Sequence, residues 1–112
     1  GPMRVVRGSH QWGFIGQSDF FGQDLEGQRR ALPVPSGASW TEAEVILPAG
    51  GASFHHHLTL HGSGPNNTDR PRRSFAIHLR TNKSRPVDDR RAGLTAFLDH
   101  PQYCPVIYRR PG

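Results

Sequence analysis

The chain has little of what usually holds a small protein together. Among its 112 residues there is one cysteine, Cys104, so no intrachain disulfide framework supports the fold. Its thiol fits a reducing compartment or a buried position. No apolar run approaches the roughly 20 residues that a membrane span needs, and no signal-peptide pattern opens the sequence. A membrane partner is therefore excluded and the cytoplasm is the default expectation. Apolar residues make up 34% of the chain and aromatic residues 9%, enough for one domain with a modest core. Glycine (13) and proline (10) are plentiful, a mix that suits short strands joined by turns better than a helical bundle.

Charge is uneven. The formal balance is +5, and eight of the fourteen basic residues fall between Arg70 and Arg91. Such a cluster can meet nucleic acid or an anionic substrate, and more often is simply a solvated face. No recognised nucleic-acid module or aromatic stacking set accompanies it, so nucleic-acid binding ranks last.

Taken in order, Met3–Arg7 reads as a short strand stopped by Gly8-Ser9. An irregular aromatic loop follows, with Trp12, Phe14, Phe20 and Phe21 among glycines; core packing is the favoured role of Trp12 and Phe14, pocket lining the alternative. Residues 24–30 fit one helical turn before Pro33 and Pro35 break it. Trp40–Leu47 alternates imperfectly and reads as a strand ending at Pro48. Residues 53–60 read as a further strand, with His55, His57, Thr59 and His61 on one face. After a turn over 62–70, residues 72–81 give the clearest alternation in the chain. Arg72, Ser74, Ala76, His78 and Arg80 lie on one side, and Arg73, Phe75, Ile77, Leu79 and Thr81 on the other. Residues 82–91 read as a polar loop, 92–98 as a short helix and 104–108 as a last strand.

The organising stretch is 55–81, which holds five of the seven histidines. His61-Gly62-Ser63 at the lip of the turn is followed by Arg72 on the returning strand. A neutral imidazole there can ligate a divalent metal. A guanidinium offers paired donors to a carboxylate, and the Ser63 hydroxyl a third. A zinc or nickel site of His55, His56 or His57 with His61 is a competing reading, weakened because His57 and His61 would need a helix between them. His10 is expected to hold the Gly-Ser-His turn by hydrogen bonding, and Asn66 and Thr68 the later turn.

The spacing His61-Gly62-Ser63, Asn66, Thr68, Arg72 resembles the end of the catalytic core in phytanoyl-CoA dioxygenase-like proteins. Gly1-Pro2-Met3-Arg4-Val5-Val6-Arg7-Gly8-Ser9-His10 is similar to an earlier strand and turn of the same family. Gly1-Pro2 admits two readings, a cleavage scar before Met3 or native family sequence. The resemblance covers most of residues 1–81 and, more weakly, the tail. It implies an Fe(II)- and 2-oxoglutarate-dependent hydroxylase with a double-stranded β-helix (jelly-roll) fold. In that reading His61 is the distal iron-binding histidine, and Arg72 with Ser63 clamps the far carboxylate of 2-oxoglutarate. One departure stands out: the family's H-x-D/E iron-binding motif is missing, since no histidine here has Asp or Glu two residues later.

The expected fold is mainly β, a partial jelly roll of about five strands with one or two short helices, spanning 1–112 as a single domain. With the rest of the core missing, the Phe75, Ile77 and Leu79 face would be exposed in a monomer, which implies a dimer or higher oligomer. The functional readings are the C-terminal part of such a dioxygenase, inactive as this chain alone, or a non-catalytic relic serving as a small β binding or assembly module.

Overall fold

The computed structural model describes residues 1–16, 22, 24–85, 91 and 93–111. The chain divides into two compact units, Gly1–Ser74 and Phe75–Gly112.

The first unit is built on a central strand, β1 (Met3–Val6), where the β-branched pair Val5-Val6 favours extended backbone. It ends because Gly8 takes a left-handed conformation, φ 76°, open to glycine without a Cβ clash. β2 (Glu42–Val45) and β3 (His61–Ser63) flank it, both antiparallel, in the order β2-β1-β3. Arg4 lies opposite Glu44 on one side and Gly62 on the other; Val5 lies opposite Ala43 and His61. The ladders continue past the strand ends through Val6 N–H to Leu60 O (2.9 Å) and Arg7 N–H to Thr41 O (2.8 Å).

This register sorts the side chains. Arg4, Val6, Glu42, Glu44 and Gly62 share one face, and Met3, Val5, Ala43, Val45, His61 and Ser63 the other. The helix α1 (Leu25–Ala31) packs on the first face. The Asp24 carboxylate caps it, accepting from Gly27 N–H at 2.8 Å. Gly62 lets the helix approach, because a Cβ there would stand 3.2 Å from a Leu25 methyl. Val6 and Ser9 are the buried residues among those described. Ser9 ties the layout together: its hydroxyl donates to Val6 O and accepts from Leu60 N–H, both at 2.8 Å. The hydroxyl of Ser9 thus does what was expected of His10, whose exposed ring sits 5.9 Å from that of His56.

The second unit is a series of turns. A 3-10 turn at Gly93–Thr95 leads into tight turns through residue 103, closed by Cys104 N–H to His100 O at 2.8 Å. Tyr103 packs on Phe97 (4.8 Å) and His100 (5.0 Å). Arg80 donates to Leu98 O and pairs with Asp99 at 2.9 Å, where Arg91 joins at 3.4 Å.

The mainly β character matches expectation, with three strands among the described residues where about five were expected. Residues 53–60 form no strand. His56 O accepts from Thr59 N–H at 2.9 Å, turning the chain, so pairing begins only at His61, which was expected at a turn. The break also ends the common face expected for His55, His57, Thr59 and His61. Residues 72–81 form no strand among the described residues, and 104–108 likewise. Alternation marks a segment suited to a half-buried sheet, but a ladder also needs a neighbour. Residues 40–47 narrow to β2, and the 92–98 helix to the Gly93–Thr95 turn, Ala92 lying outside the described residues. Trp12 packs on Trp40 at 6.0 Å, whereas Phe14 is 61% exposed instead of buried in the core. Phe20, Phe21 and most of the 82–91 loop after Arg85 lie outside the described residues. Cys104 is an exposed free thiol.

Candidate functional site

His61 opens β3, the edge strand beside β1. Its Nδ1 lies 2.8 Å from Thr59 O. A carbonyl oxygen only accepts, so Nδ1 is the donor in this contact, and in the neutral ring that leaves the lone pair on Nε2. A carbonyl holding one ring nitrogen in this way fixes the tautomer of a metal-binding imidazole. Ser63, two residues on, shares His61's face of the strand. Between and behind them that face is apolar, floored by Met3, Val5, Ala43 and Val45, all half-buried.

The turn after β3 is held by its own side chains, as expected. Asn66 Nδ2 donates to Arg70 O at 2.6 Å. The Thr68 hydroxyl, with one proton to give, has acceptors at Asn66 Oδ1 (2.9 Å) and Arg70 O (3.1 Å), and also faces Arg70 N–H at 3.4 Å. Arg72 follows two residues later, exposed, outside any helix or strand, and without an ion pair among the described residues.

Sequence reasoning missed a second feature, a cleft of about 360 Å³ between α1 and the sheet. Arg4, Leu25, Arg29, Trp40, Glu42 and Gly62 line it. Its charges are already matched. Arg4 lies 3.6 Å from Glu42 and 3.5 Å from Glu44, and Arg29 lies 3.5 Å from Glu26. Trp40 Nε1–H donates to Glu42 at 2.7 Å, and the Arg29 guanidinium stands 5.7 Å from the Trp40 ring centre. The cleft is a helix–sheet seam closed by charge pairs. His61 borders it, yet alternation along β3 sets its Cβ on the opposite face, with Ser63. Arg72 is not among the lining residues. The signal in the sequence was Arg4 with Glu42 and Glu44, legible only once the register is known.

The histidines pair without converging. His55 lies 4.8 Å from His61 and His56 lies 4.3 Å from His57, ring centre to ring centre. Among the described residues, no group of three His, Cys, Asp or Glu side chains is placed to hold a metal ion. That applies to the zinc or nickel reading and to an iron centre completed by these residues alone. No described helix is long and apolar enough to cross a membrane.

The geometry is that of a small antiparallel β unit with an oriented imidazole and a hydroxyl on one face of its edge strand. A model of the phytanoyl-CoA dioxygenase (PhyH) family matches residues 1–74, which include the sheet, His61, Ser63 and Arg72. The chain belongs to the phytanoyl-CoA dioxygenase family, and so to a family of oxidoreductases. No curated protein and no solved structure gives a match.

Proposed function

We propose that this chain supplies part of the core of an Fe(II)- and 2-oxoglutarate-dependent hydroxylase with a jelly-roll fold. In this reading its sheet is a portion of that roll. His61 is one of the iron-binding side chains, and Arg72 with Ser63 receives the far carboxylate of 2-oxoglutarate. The observation that carries the reading is the Thr59 carbonyl on His61 Nδ1. It leaves Nε2 as the ligating atom on the face that Ser63 shares. A bound iron would supply the oxidative chemistry; a single imidazole does not meet the need for several ligands held in preformed geometry. The described residues therefore do not complete such a centre, and the two further ligands are to come from a segment bearing an H-x-D/E motif.

What this chain's own residues do is orient. The Thr59 carbonyl sets the imidazole tautomer. An unpaired guanidinium gives a carboxylate two parallel hydrogen bonds. The apolar residues Met3, Val5, Ala43 and Val45 share the imidazole's face of the sheet.

Two measurements test the reading. In this chain, long-range proton–nitrogen NMR should show His61 protonated on Nδ1; a ring protonated on Nε2 would remove the proposed ligand. In the protein with an H-x-D/E segment restored, Arg72→Ala should weaken 2-oxoglutarate binding by 10-fold or more, on the order of what losing one partner of a hydrogen-bonded charge pair costs. Unchanged affinity would dismiss the clamp. The alternative is a non-catalytic β module. Anaerobic iron titration separates the two, because the module has no stoichiometric site that depends on His61.

A further inference from the structure

Residues 71–80 are exposed throughout and form no helix, strand or turn, and their backbone amides and carbonyls make no hydrogen bond among the described residues. Arg72 and Arg73 begin the run. Phe75, Ile77 and Leu79 then fall on one side, 89%, 71% and 63% exposed. Unpaired backbone donors beside an apolar row describe a strand lacking its neighbour.

A matching edge exists on the sheet. β2 is an outer strand, and its outward edge makes no backbone hydrogen bond among the described residues. Glu42 and Glu44 share the single guanidinium of Arg4, at 3.6 and 3.5 Å, so two negative charges face one positive and the edge is net acidic. Just beyond it Ile46 and Leu47 are 74% and 46% exposed. One strip is basic then apolar, and the other acidic then apolar. The opposite sheet edge, β3, has three residues and no carboxylate, so it matches less well.

We propose that residues 72–79 of one copy add as a strand to the outer edge of β2 in a second copy. Main-chain hydrogen bonds supply affinity, and charge with alternating side chains selects the partner. Each copy carries both strips, and the proposed exchange is reciprocal between two copies. The pairing does not depend on the chemistry proposed for His61 and Arg72, and either can fail while the other stands.

Sedimentation velocity from about 1 to about 200 µM, a range that brackets micromolar dissociation constants, should show the mass doubling. Glu44→Lys, Arg73→Glu and Ile77→Asp should each weaken the dimer about tenfold or more, with circular dichroism confirming that the fold persists. Mixing the Glu44→Lys and Arg73→Glu chains should restore association, because each then offers the other a complementary strip. Amides of 72–79 should exchange more slowly as concentration rises. A monomer across the whole range would overturn the proposal. So would association indifferent to charge reversal, or protection of 72–79 in a monomer, which would place the strand on its own chain.

Discussion

Replacing Ser9 with alanine isolates the contact that joins the two ends of the sheet. Ser9 is 1% exposed, and its hydroxyl is the only acceptor for Leu60 N–H among the described residues while also donating to Val6 O. Alanine keeps the backbone and removes one oxygen, so packing changes little. What remains is a half-buried amide without a partner and a carbonyl deprived of one donor. Leaving such a group unsatisfied costs about 1–3 kcal/mol; with Leu60 half-buried, about 2 kcal/mol is expected. Trp12 and Trp40 both sit in the first unit and report its unfolding by fluorescence. With a urea dependence of roughly 1–3 kcal/mol per molar, the midpoint should fall by about 1 M. Ser36→Ala, in an exposed turn, should stay within about 0.5 kcal/mol of the parent. Hydrogen exchange adds a local readout, since the Leu60 amide should lose protection more than Val5 or Val6. A midpoint shift no larger than that of Ser36→Ala, with the Leu60 amide still protected, would refute the reasoning.

Two further outcomes follow from the packing. Gly62→Ala places a methyl 3.2 Å from Leu25, and overpacking of this kind costs about 1–3 kcal/mol; in a Leu25→Ala background the loss should shrink, and an equal loss in both would show that the contact is not the cause. In the second unit, Asp99→Asn removes a carboxylate shared by Arg80 and Arg91, but with Asp99 71% exposed the change in stability should be below about 1 kcal/mol, and any effect should fade in high salt; a larger, salt-independent loss would contradict the surface reading.

How much was legible beforehand varies with the kind of information each feature needs. Local chemistry read well. The Val5-Val6 strand stopped at Gly8, and where one helical turn was expected over 24–30 the seven-residue α1 formed. The Asn66–Thr68 turn formed by short-range side-chain bonds. Patterns that depend on a distant partner read poorly. Alternation at 72–81 predicts a paired strand, yet no described strand lies beside it. At 53–60 the expected strand is replaced by a turn, and Ser9, 51 residues before Leu60, takes the Leu60 amide.

The order of residues alone therefore settled the family resemblance, the mainly β composition and the spacing of His61, Ser63 and Arg72. Those properties live in residue identity and in contacts a few positions apart. Tertiary structure decided which residues share a face of the sheet, His61 with Ser63 among them, and which charges pair across it. Strand register and long-range hydrogen bonds set these, and neither is written in any single stretch of sequence.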